Sequence, residues 1–530
     1  MNANRVAIYD STLRDGAQAE GVSFSVAGKV RIARRLAAFG IDYIEGGFAA
    51  SNPKDMEFFK QMQREPLDGA RLAAFGSTRR AGRSAAEDAG VQALLEAGTS
   101  VTTIFGKSWG LHVRDVLRTT PEENLAMIAD TVRLLKEQGR ETIYDAEHFY
   151  DGYKDDATYA LATLRAAAEA GADALVLCDT NGGCLPDDIE GITAAVAQAL
   201  PGAALGIHAH NDSGCGTANS LAGVRAGARH VQGTVNGIGE RCGNADLLPI
   251  IANLALKMGY TCLKPESLAQ LREVSDFVFE LANLRPNTRA PFVGQSAFAH
   301  KAGMHVDGVR KNPRSFEHID PALVGNARRV LVSELSGASN VFLKAVEMGL
   351  QFDKSSPEVK EILQTLERLE RQGYEFEAAE GSFKLLIQKV LRAHRPFFTL
   401  GAFRTIVEKQ RPDATCVTEA TLKLVVNDQQ THTVGEGDGP VDALNQALRR
   451  ALIPLYPVLE QVRLVDYQVR ILDPEEGTAA KTRVLIESSD GRRNWGTVGV
   501  SGNLIEASWE ALVDSFEYKL FIEESERAAS

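Results

Sequence analysis

Two histidines one residue apart, in Ile207-His208-Ala209-His210-Asn211-Asp212, close the apolar run Leu205-Gly206-Ile207. Successive side chains of a β-strand take opposite faces, so His208 and His210 point one way while Leu205, Ile207 and Ala209 point the other. Two imidazoles on one face need partners, either hydrogen-bonding groups around a buried pair or a divalent metal, for which imidazole is the commonest ligand. A second motif favours the metal. Tyr9-Asp10-Ser11-Thr12-Leu13-Arg14-Asp15-Gly16-Ala17-Gln18 delivers a guanidinium and a carboxylate just after the short apolar run Val6 to Tyr9. Asp15, His208 and His210 together make a carboxylate and two-imidazole set suited to Zn²⁺, Mn²⁺, Fe²⁺ or Mg²⁺, with positions left for substrate oxygens. An open coordination site implies Lewis-acid work on a bound carbonyl. Arg14 reads as a clamp for a substrate carboxylate or a stabiliser of a developing oxyanion; the competing reading is a salt bridge to Glu45 or Glu147.

The elements that must position these groups repeat along the first half of the chain. Short β-rich runs (Val6 to Tyr9, Tyr43 to Glu45, Arg71 to Phe75, Val101 to Phe105, Thr142 to Glu147, Ala174 to Cys178, Leu205 to His210, His230 to Asn236) alternate with Ala- and Leu-rich helical stretches such as Lys29 to Phe39 and Pro121 to Gln138. About eight βα units in about 250 residues is the arithmetic of a TIM (β/α)8 barrel, with a doubly wound open sheet as the alternative. A barrel brings the C-terminal ends of its strands to one mouth, where chemistry sits. Polar residues recur there: Arg14 and Asp15, Glu45, Ser77 to Arg79, Lys107 and Ser108, Asp145, Glu147 and His148, Asp179 to Asn181, the histidine pair, and Asn236 to Asn244.

Composition sets the frame. At 530 residues the chain exceeds what one core supports. Its 58 Lys and Arg against 70 Asp and Glu give a net charge of −12 with no strong basic block, which argues against nucleic-acid and anionic-membrane partners. Six scattered cysteines without a C-x-x-C, no signal peptide and no apolar run of membrane-spanning length lead to the expectation of a cytoplasmic protein with reduced thiols.

Asp10 to Gln18, His208 to Asp212 and Gly239-Glu240-Arg241-Cys242-Gly243-Asn244 resemble the signature stretches of the metal-dependent TIM-barrel acyltransferases and lyases. That family comprises isopropylmalate, homocitrate and citramalate synthases and the hydroxymethylglutaryl-CoA lyases. Tyr43 to Gly47, Ala74 to Arg80, Thr103 to Trp109, Tyr144 to Phe149 and Ser296 to Lys301 resemble its citramalate-forming branch. The resemblance implies Asp15, His208 and His210 as ligands of a divalent metal (Mn²⁺, Mg²⁺ or Zn²⁺), with Asn244 at or beside it. It implies Arg14 near the keto-acid carbonyl, Thr180 on the keto-acid carboxylate, Glu147 as an active-site acid, and His305 brought to a barrel mouth by the segment after the barrel. The implied reaction is a condensation of acetyl-CoA, as co-substrate, with pyruvate, followed by thioester hydrolysis. Glu147 and His305 remain rival bases. Cys242 departs from the alanine common among relatives. A larger 2-oxo acid, a lyase or aldolase, and a non-catalytic amino-acid sensor are the alternatives; the lyase has little need for the long C-terminal extension, and the sensor does not require Arg14, Asp15 and both histidines.

The chain divides, on this reading, into a barrel over residues 1–285, a mostly helical linker subdomain over 286–392 that covers the active site, and an α+β regulatory domain over 393–530. The last contains a repeat. Thr433-Val434-Gly435, followed by Val441-Asp442-Ala443, recurs as Thr497-Val498-Gly499, followed by Ile505-Glu506-Ala507, each with a preceding strand (Ala420 to Val426; Lys481 to Glu487) and an amphipathic helix. Neither copy carries a cluster of catalytic residue types. The resemblance implies an allosteric, dimer-forming domain for a branched-chain amino acid, with isoleucine as the effector and a homodimer as the assembly.

Overall fold

The computed structural model describes residues 4–65, 67–331, 357–391, 394–409 and 411–529. The expected boundary between linker and regulatory domain, at residues 392 and 393, lies outside them. Two compact units emerge, residues 1–298 with 319–328, and residues 299–318 with 329–530.

The first unit is a closed barrel in strand order β1 to β8: β1 (Ala7–Asp10), β2 (Tyr43–Phe48), β3 (Arg71–Ser77), β4 (Val101–Lys107), β5 (Glu141–Glu147), β6 (Ala174–Asp179), β7 (Leu205–Ala209) and β8 (His230–Gly233). Every neighbouring pair is parallel, and β8 closes the ring between β7 and β1. The strands read as nearly continuous apolar runs because both faces are covered, the outer by helices and the inner by the side chains of opposing strands. Tyr9, Tyr43, Ala73, Val101, Ile143, Ala174, Val176 and Cys178 fill a separate cluster inside the barrel. The helices start where their capping residues stand. Thr120 accepts from the Glu123 amide ahead of a first-turn proline, Asp88 from the amides of Gly90 and Val91, and Asp156 from those of Thr158 and Tyr159.

The second unit opens with a two-residue parallel pair, β9 (Ala299–His300) with β10 (Arg329–Val330), and the helix Gly303–Lys311. The helices Pro357–Arg371 and Glu380–Val390 follow, within the stretch the sequence reads as mostly helical. Two three-stranded antiparallel sheets complete it: β11 (Thr399–Glu408), β12 (Val417–Val426) and β13 (Gln429–Gly437), then β14 (Arg463–Ile471), β15 (Thr482–Ser489) and β16 (Asn494–Ser501). The helices Pro440–Leu452 and Leu504–Ala529 pack on the first and second sheet respectively. Leu422, Leu424, Leu448, Val484, Ile486 and Phe516 belong to one shared core.

The repeat motif has a packing cause. Thr433 donates through its hydroxyl to Ala447 O at 2.9 Å, and its counterpart Thr497 donates to Ala511 O at 2.7 Å, tying each third strand to its helix. Gly435 and Gly499 bring strand and helix backbones together, because a Cβ at either would run into the helix backbone at Ala443 or Ala507. Both first strands also carry an irregular register at matching places, between Leu400 and Ala402 and between Leu464 and Asp466. Those strands, β11 and β14, are absent from the sequence reading. Their side chains lack a buried face, with Val407 53% and Ile471 58% exposed; β11, broken by its irregular register, shows no clean alternation, whereas β14 alternates from Val465 to Ile471 with its apolar side chains left exposed or half-buried. Gly499→Val should therefore cost about 1–3 kcal/mol or more through overpacking, read as a lowered melting temperature of the full chain, whereas the same change at Gly502, which has open space, should cost far less.

Candidate metal centre and active site

Asp15 follows β1, and its local turn is set by Ser11, whose carbonyl accepts from the amides of Arg14, Asp15 and Gly16. His208 lies on β7 and His210 just past its end, so strand alternation gives both rings the same direction, as the sequence predicts. Asp15 Oδ2 is 3.4 Å from His208 Nε2 and 3.9 Å from His210 Nε2, and the two Nε2 atoms are 3.3 Å apart. All three side chains are buried. Among the described residues they form a group able to hold a metal ion, with one ligand atom from each.

The fourth member comes from the loop after β8. Asn244 Nδ2 is 2.8 Å from Asp15 Oδ2 and 3.4 Å from His208 Nε2, and a bridge pairs Asn244 with His210. Two glycines permit that loop. Gly243 adopts φ 93°, in the left-handed region, and a Cβ there would strike Gly237 O; a Cβ at Gly239 would strike the Asn244 side chain.

Of the two roles that the sequence sets against each other, Arg14 makes the salt bridge to Glu45. Its Nε donates to Glu45 Oε2 at 2.7 Å, its Nη1 is 3.3 Å from Asp15 Oδ1, and its guanidinium lies over the Phe75 ring at 3.8 Å. Glu45 is held in turn by Ser11 Oγ and by Tyr9 OH, the latter at 2.7 Å. Burial by itself raises the Asp15 carboxyl, but Arg14, then His208, outweigh it and hold Asp15 well below the usual carboxylate range. Burial, reinforced by His208, pushes His210 down to about 4, so its ring is neutral and available as an electron-pair donor.

This arrangement fits a cation. Ligand atoms 3.3–3.9 Å apart are spaced as the edges of one coordination sphere with bonds of about 2.0–2.2 Å. One guanidinium is shared by two buried carboxylates, Asp15 and Glu45, which leaves an excess of negative charge out of water. Asn244 Oδ1, a buried carbonyl oxygen, has no hydrogen-bond partner among the described residues. No described interaction explains two converging imidazole nitrogens as well as an ion would.

The remaining predicted residues fall around this centre and beyond it. Thr180 follows β6; its Oγ1 accepts from the His148 amide at 2.9 Å, which leaves its own O–H free to donate. His148 reaches that position in the left-handed region at φ 54°, an uncommon conformation for a side-chain-bearing residue. Glu147 ends β5 and forms an ion pair with Lys107 at the end of β4. His305 belongs to the second unit, on the helix Gly303–Lys311, where its exposed ring stacks on Phe316 with centroids 4.3 Å apart. Asp212 and Arg241, placed by the sequence in the motifs after β7 and β8 but given no role there, pair at 2.8 Å, and Arg241 also donates to Thr180 O at 2.8 Å, joining the loops after β6, β7 and β8. Cys242 is exposed.

Comparison with known proteins places the chain. The HMGL-like family profile matches residues 5–278, a homocitrate synthase post-HMGL domain-like profile matches 292–373, and the LeuA allosteric (dimerisation) domain matches 377–520. The chain belongs to the HMGL-like family, and it is an enzyme of the acyl-transferring kind. An (R)-citramalate synthase of Aquifex aeolicus is 52% identical over 99% of both chains, and one of Synechocystis is 53% identical over 97% of this chain and 96% of that one. A 2-isopropylmalate synthase of Sulfolobus acidocaldarius is 35% identical over 74% of this chain and 98% of its own. Within its family the chain belongs with the (R)-citramalate synthases.

Removing one ligand should empty the centre without unfolding the barrel. His208→Ala is expected to abolish uptake of Mn²⁺ by the chelator-stripped protein and to lower turnover by more than the roughly 10–100-fold typical of residues behind the ligands, with the melting temperature of the stripped protein little changed.

Proposed function

We propose that this enzyme condenses acetyl-CoA with pyruvate and hydrolyses the resulting thioester, giving (R)-citramalate and coenzyme A. The observation that carries the proposal is the convergence of Asp15, His208 and His210, with Arg14 alongside, in a chain that is about half identical, end to end, to (R)-citramalate synthases. Held by these three side chains, with Asn244 at their edge, a divalent cation (Mn²⁺, Mg²⁺ or Zn²⁺) supplies Lewis-acid polarisation of the keto-acid carbonyl.

The protein groups do the rest of the work. Arg14, locked by Glu45 and Phe75, offers its remaining N–H groups to the oxygen on which charge develops at C2. Thr180 donates its free O–H to the pyruvate carboxylate, its oxygen being fixed by the His148 amide. Glu147 receives the methyl proton of acetyl-CoA, and the carbanion left behind attacks C2. Lys107, paired with Glu147, holds that carboxylate at the mouth. In this reading His305, on the helix Gly303–Lys311, serves as a second acid or base toward the thioester.

The second unit carries regulation and assembly in the same reading. The match to the LeuA allosteric (dimerisation) domain and the exposed apolar residues of β11 and β14, among them Leu400, Ile406, Val407, Val465, Val469 and Ile471, support a homodimer. Isoleucine is the effector, as the amino acid to which citramalate leads, and the enzyme works in the cytoplasm as part of isoleucine biosynthesis. No helix among the described residues is long and apolar enough to cross a membrane.

The test is release of coenzyme A, followed with a thiol reagent. Pyruvate should exceed 2-oxoisovalerate and 2-oxoglutarate in kcat/KM by at least the roughly 10–200-fold that a pocket fitted to one methyl can supply; equal or better use of either larger acid would reassign the substrate. In the same assay isoleucine should inhibit the full chain, and failure to inhibit at millimolar concentration would remove it as effector.

A further inference from the structure

We propose that Gln232 is a positioning residue of the metal centre, fixing which nitrogen of His208 carries hydrogen through a one-way relay that ends on Asp145. The inference rests on the metal reading of Asp15, His208 and His210.

His208 Nδ1 lies 2.9 Å from Gln232 Oε1, and Gln232 Nε2 lies 2.9 Å from Asp145 Oδ1. The three side chains are buried and come from three strands: β7, β8 and β5. His208 and Gln232 face each other in register across β7 and β8, whereas Asp145 reaches Gln232 across the inside of the barrel. The direction of the relay follows from donor and acceptor chemistry. Burial raises the Asp145 carboxyl to about 7, opposed first by His208, and in its ionised form it only accepts, so the amide then turns its NH₂ to Asp145 and its oxygen to His208. An amide oxygen likewise only accepts, so His208 must carry hydrogen on Nδ1. The lone pair of the neutral ring is then on Nε2, the atom that faces Asp15 and His210.

Without Asp145 the amide is left with one long contact, 3.5 Å from its Nε2 to His230 Nε2, to choose between its two orientations, and with NH₂ toward His208 it would favour the tautomer whose Nε2 is blocked by hydrogen. Gln232 thus touches no reacting atom; it acts through the ligand. His210 has no counterpart device among the described residues, none of which gives its Nδ1 a hydrogen-bond partner. Preorganisation of the pair therefore falls on His208.

The experiment is a Mn²⁺ titration of the chelator-stripped full chain, with free ion read by electron paramagnetic resonance, alongside the melting temperature of the stripped protein. Gln232→Met should raise the Kd for Mn²⁺ by about 10–100-fold while leaving that melting temperature near the wild-type value. Asp145→Asn, which keeps a carbonyl able to accept from Gln232 Nε2, should bind Mn²⁺ within about threefold of wild type. Asp145→Leu, which removes the acceptor but leaves Gln232 and all ligands in place, should weaken binding severalfold or more. A folded Gln232→Met that binds as wild type overturns the relay; should that variant fail to fold, an Asp145→Leu variant with wild-type Kd does so instead. A wild-type chain that binds no Mn²⁺, or one whose binding survives His208→Ala, overturns the metal reading itself and the relay with it.

Discussion

The arrangement on which everything else depends is electrostatic: a buried carboxylate, Asp15, faces two imidazole nitrogens with too little positive charge nearby to balance the carboxylates around it. Arg14 serves Asp15 and Glu45 together, and Glu45 is further occupied by Tyr9 and Ser11. A closed barrel can hold such a set because its strands are restrained by neighbours on both sides, so the donors cannot relax apart as they would on a loop. The ring order matters here. β8 lies between β1 and β7, so Asp15 and the histidines approach from either flank of one strand, and the loop after that strand supplies Asn244. Side chains from three chain segments separated by up to 229 residues are thereby brought together.

That dependence explains what could be read from the sequence. The spacing of His208 and His210 is a statement about one strand, and strand alternation is a local property. The βα rhythm is equally local, and it places Arg14, Asp15, Glu147 and Thr180 at strand ends before any contact is known. The choice between a salt bridge and a substrate clamp for Arg14 was not local: it turns on Glu45, which is 31 residues away and oriented by Tyr9 and Ser11. Nor was the pairing of Arg241 with Asp212, which arises from two loops that only the closed barrel makes adjacent. Gln232 had a usable signal, since it alternates with His230 on a strand whose neighbours are Val231 and Gly233, but an inward-facing amide by itself does not announce a partner.

The second unit shows the same division. Thr433 and Thr497, with Gly435 and Gly499, recur because each sheet must let its helix close on the third strand, and a hydroxyl donor with an absent side chain does so in both copies. A motif with a packing cause survives duplication and is legible. β11 and β14 bury neither face: β11 is interrupted by its irregular register and keeps no period-two pattern, whereas β14 alternates from Val465 to Ile471, a strand signal whose apolar side has no cover within the unit. Apolar side chains left exposed on a paired strand are costly unless covered, which is the physical reason to assign this unit a role in assembly.

The proposed condensation asks two things of the barrel mouth that pull against each other. The keto acid needs positive charge around its oxygens, whereas removing a methyl proton from the thioester needs a carboxylate that those same cationic groups do not engage. The structure separates the two across the ring. Arg14, Asp15 and the histidines gather around β1, β7 and β8, while Glu147 and Lys107 sit together at the ends of β5 and β4. Thr180, between these groups at the end of β6, is tied to the first by Arg241 and to the second by the His148 amide. A hydroxyl at that point binds a carboxylate without adding charge to either side, so the acid end of the substrate can be gripped without cancelling the base that the reaction requires.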